Sequence, residues 1–125
     1  MRRILFTALA ALALTACGGG GDPVDQNHEG DLAAGQTQVG GHNCDTYDIS
    51  VGEGWTVRAD MDSEWDNKVI LTRGDAEVAS DDDTDGTNAR LNTTVTESGD
   101  YTVNACAYSD GTGAYTLHIV TAAGN

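Results

Sequence analysis

Basic side chains are scarce in this sequence. Six Lys and Arg stand against twenty Asp and Glu, a formal charge of −14 over 125 residues. Such a surface repels nucleic acid and anionic headgroups and leaves cations and basic proteins as attracted partners. Catalytic signatures are missing too. His28, His42 and His118 lie in no Gly-x-Ser-x-Gly or His-Glu-x-x-His setting, and no Gly-rich phosphate loop precedes a helix. No amphipathic helix pattern follows residue 16. No apolar run is long enough to span a bilayer. The chain is expected to be non-enzymatic, with no partner among nucleic acids.

What is present begins at the first residues. Arg2 and Arg3 form a positive head, and Ile4 to Leu14 is an apolar stretch fit for export. Leu14-Thr15-Ala16-Cys17 resembles the bacterial lipobox, in which small residues fit the peptidase groove and the Cys17 thiol accepts diacylglycerol. Cleavage before Cys17 leaves 109 residues, with four basic side chains against twenty acidic ones. Gly18 follows the lipidated residue, where an Asp would argue for inner-membrane retention. An outer-membrane lipoprotein is expected if the cell is Gram-negative.

Three cysteines occur in all. With Cys17 acylated, Cys44 and Cys106 remain as an even pair in an exported chain, which reads as one disulfide. It closes a loop of roughly 60 residues, worth about 4 kcal/mol by chain entropy. A metal or redox pair is the other reading, disfavoured because no Cys-x-x-Cys is near.

Residues 1–16 read as signal peptide and 17–30 as a Gly-rich tether, opening on Gly18-Gly19-Gly20-Gly21-Asp22-Pro23. Residues 31–125 read as the folded domain. Alternation places strands at Tyr47–Val51, Trp55–Ala59, Lys68–Thr72, Ala76–Ser80, Ala89–Val95, Tyr101–Ala105 and Tyr115–Ile119. Acidic loops are expected over 60–67 and 81–88. Seven to eight short strands indicate an all-β antiparallel sandwich of jelly-roll type. Cys106 falls on the face opposite Val103 and Ala105. A monomer is expected.

In order and spacing, these pieces resemble the bacterial pre-peptidase C-terminal domain from Asp31 to Val120. The resemblance is carried by Asp45-Thr46-Tyr47 after Gly40-Gly41, by Val51-Gly52-Glu53-Gly54-Trp55, and by Asp66 before Val69-Ile70-Leu71. It continues through Ser80-Asp81-Asp82-Asp83, Ser98-Gly99-Asp100-Tyr101 and Gly113-Ala114-Tyr115. It implies a β-sandwich serving substrate or matrix binding, secretion or stabilisation beside a secreted peptidase. No peptidase is part of this sequence, so an accessory or inhibitory partner of an extracellular peptidase is one expectation. The cysteine pair is a departure from the family pattern.

Two local features suggest a ligand. Asp81, Asp83, Asp85 and Gly86 match the first half of an Asp-x-Asp-x-Asp-Gly calcium loop. Asn92 occupies the twelfth position and no helices flank the loop, so an EF-hand is excluded. A looser Ca²⁺ site, aided by Asp60, Asp62, Glu64 or Asp66, competes with a solvated polar turn. Trp65, between Glu64 and Asp66, reads either as a platform for a sugar ring or a protein partner or as a lid over one end of the sandwich. A zinc site joining His42 and His118 is a weaker reading. The function expected is a surface-anchored binding or structural module, with a polysaccharide or a peptidase as alternative partners.

Overall fold

A computed structural model describes residues 22–82, 84, 86–108 and 112–124. Cys17, Asp83 and Asp85 lie outside the described residues. Nine strands occur among them: β1 (Asp25–Leu32), β2 (Thr37–Val39), β3 (His42–Val51), β4 (Thr56–Ser63), β5 (Asn67–Arg73), β6 (Ala76–Asp81), β7 (Arg90–Thr94), β8 (Gly99–Ala107) and β9 (Gly113–Ala122). They form two sheets, β1-β9-β4-β7 and β2-β3-β8-β5-β6, with every neighbouring pair antiparallel. Without the short β2, this is the two-Greek-key connectivity of an eight-stranded jelly roll. The all-β sandwich expected from alternation is the observed fold.

Period-2 alternation builds the core. Val57, Ala59 and Met61 of β4 and Tyr115, Leu117 and Ile119 of β9 point inward from the first sheet. Val69 and Leu71 of β5 and Tyr101, Val103 and Ala105 of β8 meet them from the second, in one buried cluster. Each fully buried Val, Leu or Ile contributes about 1.5–3 kcal/mol.

A smaller cluster covers the outer face of the second sheet. Cys44 and Cys106 are direct register partners, with Cα atoms 4.0 Å apart, and form the expected disulfide. Ile70 packs against the bridge and Val39 of β2 shelters it. At the start of β8 the Tyr101 hydroxyl donates to the Glu97 carbonyl at 2.5 Å, four residues upstream. Arg73 pairs with Glu97 and lies over the Tyr101 ring, 5.8 Å from its centroid.

Two expectations need correction. The tether read over 17–30 gives way to β1 at Asp25, so the fold begins before Asp31. β1 pairs with β9 through eight residues, from Asp25↔Val120 to Leu32↔Gly113. Backbone bonding fixes most of this strand, because its inward positions Gln26, His28 and Gly30 carry little apolar surface and only Leu32 at its end enters the core. The acidic loop read over 60–67 is also mostly strand. β4 continues to Ser63 because Met61 extends the inward set of Val57 and Ala59, while Asp60 and Asp62 face out.

Candidate partner-binding site

The register of three strands assembles an open groove. Gly30, Tyr115 and Ser63 share one row across β1, β9 and β4, and Glu29, Thr116 and Asp62 share the next. Rows alternate between the two faces. Tyr115 therefore points between the sheets, while Glu29, Thr116 and Asp62 point to solvent. Glu64 and Trp65 close the groove from the β4–β5 turn. The resulting cleft measures about 660 Å³, and no described Lys or Arg lines it.

Trp65 is half-buried and packs on the core. It meets the Tyr115 ring edge-on, with centroids 6.4 Å apart. Its buried indole Nε1 has no hydrogen-bond partner among the described residues. The ring thus covers one end of the core and also forms a wall of the groove.

Asn67 holds the Trp65 turn in place. Its buried Nδ2 donates to Ser63 Oγ at 2.7 Å and to Asn88 Oδ1 at 2.9 Å. Its Oδ1 accepts from the Ala89 N–H at 2.7 Å. Ser63 Oγ in turn donates to the Trp65 carbonyl at 2.5 Å. One side chain thus satisfies backbone and side-chain groups from two turns, as burial demands.

Behind the groove runs a polar chain between the sheets. Tyr115 donates to Asp45 Oδ2 at 2.6 Å, so the Tyr47 hydroxyl, 2.5 Å away, must donate to Tyr115. Gln36 Nε2 donates to the other Asp45 oxygen at 2.9 Å. The His28 ring stacks on Tyr47 at 4.3 Å. Burial, then the bonds to Asp45 and Tyr47, push the Tyr115 hydroxyl pKa well above its ordinary value. It stays protonated and structural at neutral pH.

The calcium-like loop is described only in part. Asp81 Oδ1 accepts from the Thr84 hydroxyl at 2.7 Å, and Oδ2 accepts from the N–H groups of Arg90 at 2.8 Å and Thr84 at 3.3 Å. Burial raises the Asp81 pKa, but these three bonds outweigh it and hold the carboxyl below its usual value. Asp81 therefore closes a polar turn and launches β7. Among the described residues no three His, Cys, Asp or Glu side chains gather around a common point.

The histidines are separated. His42 of the second sheet stacks on exposed Tyr108, and its Nδ1 lies 3.2 Å from the Ala107 carbonyl. His118 of the first sheet pairs with Asp25 at 2.6 Å. The zinc reading that joins His42 and His118 is overturned by this placement on different sheets. Sequence reasoning missed Glu29, Asp45 and Tyr115 as site residues. The available signal was Tyr115 opening a strand after Gly113, with only Gly30 to face it once β1 was paired.

Residues 1–17 match the prokaryotic membrane lipoprotein lipid attachment site, which ends on Cys17. Anchor and fold together define an exported, lipid-anchored lipoprotein carrying a jelly-roll domain. Among solved structures the chain is similar to the pre-peptidase C-terminal domain of a collagenase from Bacillus anthracis, with TM-score 0.58 and 19% identity over 77% of this chain and 89% of that one. It is also similar to PliG of Aeromonas hydrophila, a periplasmic lysozyme inhibitor of g-type lysozyme, with TM-score 0.56 and 12% identity over 88% of this chain and 93% of that one. Both likenesses are of fold, and the first agrees with the family resemblance of the sequence. Comparison with curated protein sequences gives no match.

Proposed function

We propose that this lipoprotein is a non-enzymatic protein-binding module of the cell envelope, held in the outer membrane by Cys17, that captures a basic protein and acts on it as an inhibitor. The observation that carries the reading is the acidic groove, where Glu29, Asp62 and Glu64 surround aromatic walls with no cation of the chain's own among the lining residues. Charge complementarity of this kind steers encounter and selects a basic partner. A fold shared with a lysozyme inhibitor supports inhibition as the mode, and Gly18 after the lipidated residue supports the outer membrane. The reading requires no cofactor.

The test uses the full lipoprotein in detergent. Added to a g-type lysozyme digesting peptidoglycan, it should slow lysis in proportion to its concentration and form a complex in light scattering. Undiminished lysis with no complex would overturn the reading. Recovery of a peptidase alone from envelope extract would replace it with the peptidase-accessory alternative.

A further inference from the structure

Resting on that reading, we propose that the membrane-distal end of the jelly roll is the docking surface, and that the acidic cleft beside Trp65 seats one lysine or arginine side chain of the basic partner.

The orientation follows from chain direction. Only Gly18 to Val24 separates the acylated Cys17 from Asp25, and seven residues span at most about 25 Å. β1 then runs from Asp25 to Leu32, carrying the chain away from the anchor. The register puts Asp25, Val120 and Arg58 in one row near the tether and Gly30, Tyr115 and Ser63 in a row toward the other end. The ten residues of β9 extend about 33 Å at 3.3 Å each. The cleft thus opens at the end turned away from the lipid, where a soluble protein arrives first.

The chemistry of the cleft selects the guest. The half-buried Trp65 ring lines the cleft and offers its π face to a cation. Glu29, Asp62 and Glu64 are exposed at the rim, and among the described residues none of the three takes part in an ion pair. The described arginines are engaged elsewhere, Arg58 and Arg90 with Asp60 and Arg73 with Glu97. The buried Trp65 indole N–H has no acceptor among the described residues. A long basic side chain supplies the missing charge.

Two measurements separate this proposal from the reading beneath it. The first compares Glu29→Gln/Asp62→Asn/Glu64→Gln with an equal-charge control, Asp75→Asn/Glu77→Gln/Asp100→Asn. All six positions are exposed, and circular dichroism verifies the fold. Against a g-type lysozyme in calorimetry, the cleft variant should bind about tenfold more weakly and the control less than about twofold. Equal losses would overturn the cleft while leaving a basic partner in place. The second titrates a tri-arginine peptide into Trp55→Phe, in which Trp65 is the sole tryptophan. Its emission should shift and saturate, and the shift should vanish when the three cleft substitutions are added. A saturating shift without lysozyme binding would keep the cleft and overturn the lysozyme reading. No shift would overturn the cleft whatever lysozyme does.

Discussion

The ring of Tyr115 lies flat against Gly30, its register partner, so closely that a Cβ on Gly30 would fall well under 3.0 Å from the ring. Gly30 is needed here for space. The ring cannot retreat cheaply, because its hydroxyl is held by Asp45 and Tyr47 from the opposite sheet. Gly30→Ala should therefore cost about 1–3 kcal/mol, read as a lowered Tm. It should also expose Tyr115 to solvent quenching. An unchanged Tm would refute the close contact.

Tyr115→Phe keeps the ring and removes the hydroxyl. Asp45 loses a donor and Tyr47 an acceptor, for a loss of about 1–2 kcal/mol at neutral pH. The sign of the pH effect follows from the raised pKa in the fold. The protonated hydroxyl makes the bond, so its stabilisation is complete below the ordinary tyrosine value of about 10 and fades as pH rises above it. Urea melts from pH 8 to 11 should show the native protein weakening in that upper window and the Phe variant weakening less.

Asn67 is fully buried and joins two turns. Replacement by Ala strands the Ala89 N–H and releases the Ser63 and Asn88 side chains. About 2–4 kcal/mol should be lost. Amide exchange should quicken over 63–67 and 87–89 before it does in β8. A uniform quickening would mean that Asn67 does not act locally.

Cys44→Ala/Cys106→Ala opens a loop of 62 positions and removes the centre of the outer cluster with Ile70. Denaturant melts should show about 2–5 kcal/mol less stability. The core between the sheets is independent of that cluster, so a folded β spectrum should persist in the cold.

Much of this fold was written in plain alternation. Val57-Ala59-Met61, Val69-Leu71 and Tyr101-Val103-Ala105 each show a buried face, and each became a strand. β1 offers no such run. Its inner side is Gln26, His28, Gly30 and, only at the end, Leu32, so most of its length depends on backbone pairing with a partner some ninety residues later. Period-2 reasoning is blind to that. Trp65 was legible as a site residue because an aromatic among acids is locally odd. Glu29 and Tyr115 were not, since their proximity to Trp65 comes from register between distant strands. Asn67 carries no pattern at all, and only burial distinguishes it from any turn asparagine.

The position of β1 also decides how the protein bears a pull. A load applied at the far end would drag against the anchor along the length of that strand. All eight pairs with β9 then resist together in shear, instead of opening one after another like a zip. The weakest-looking strand in the sequence is thus aligned to carry load without peeling.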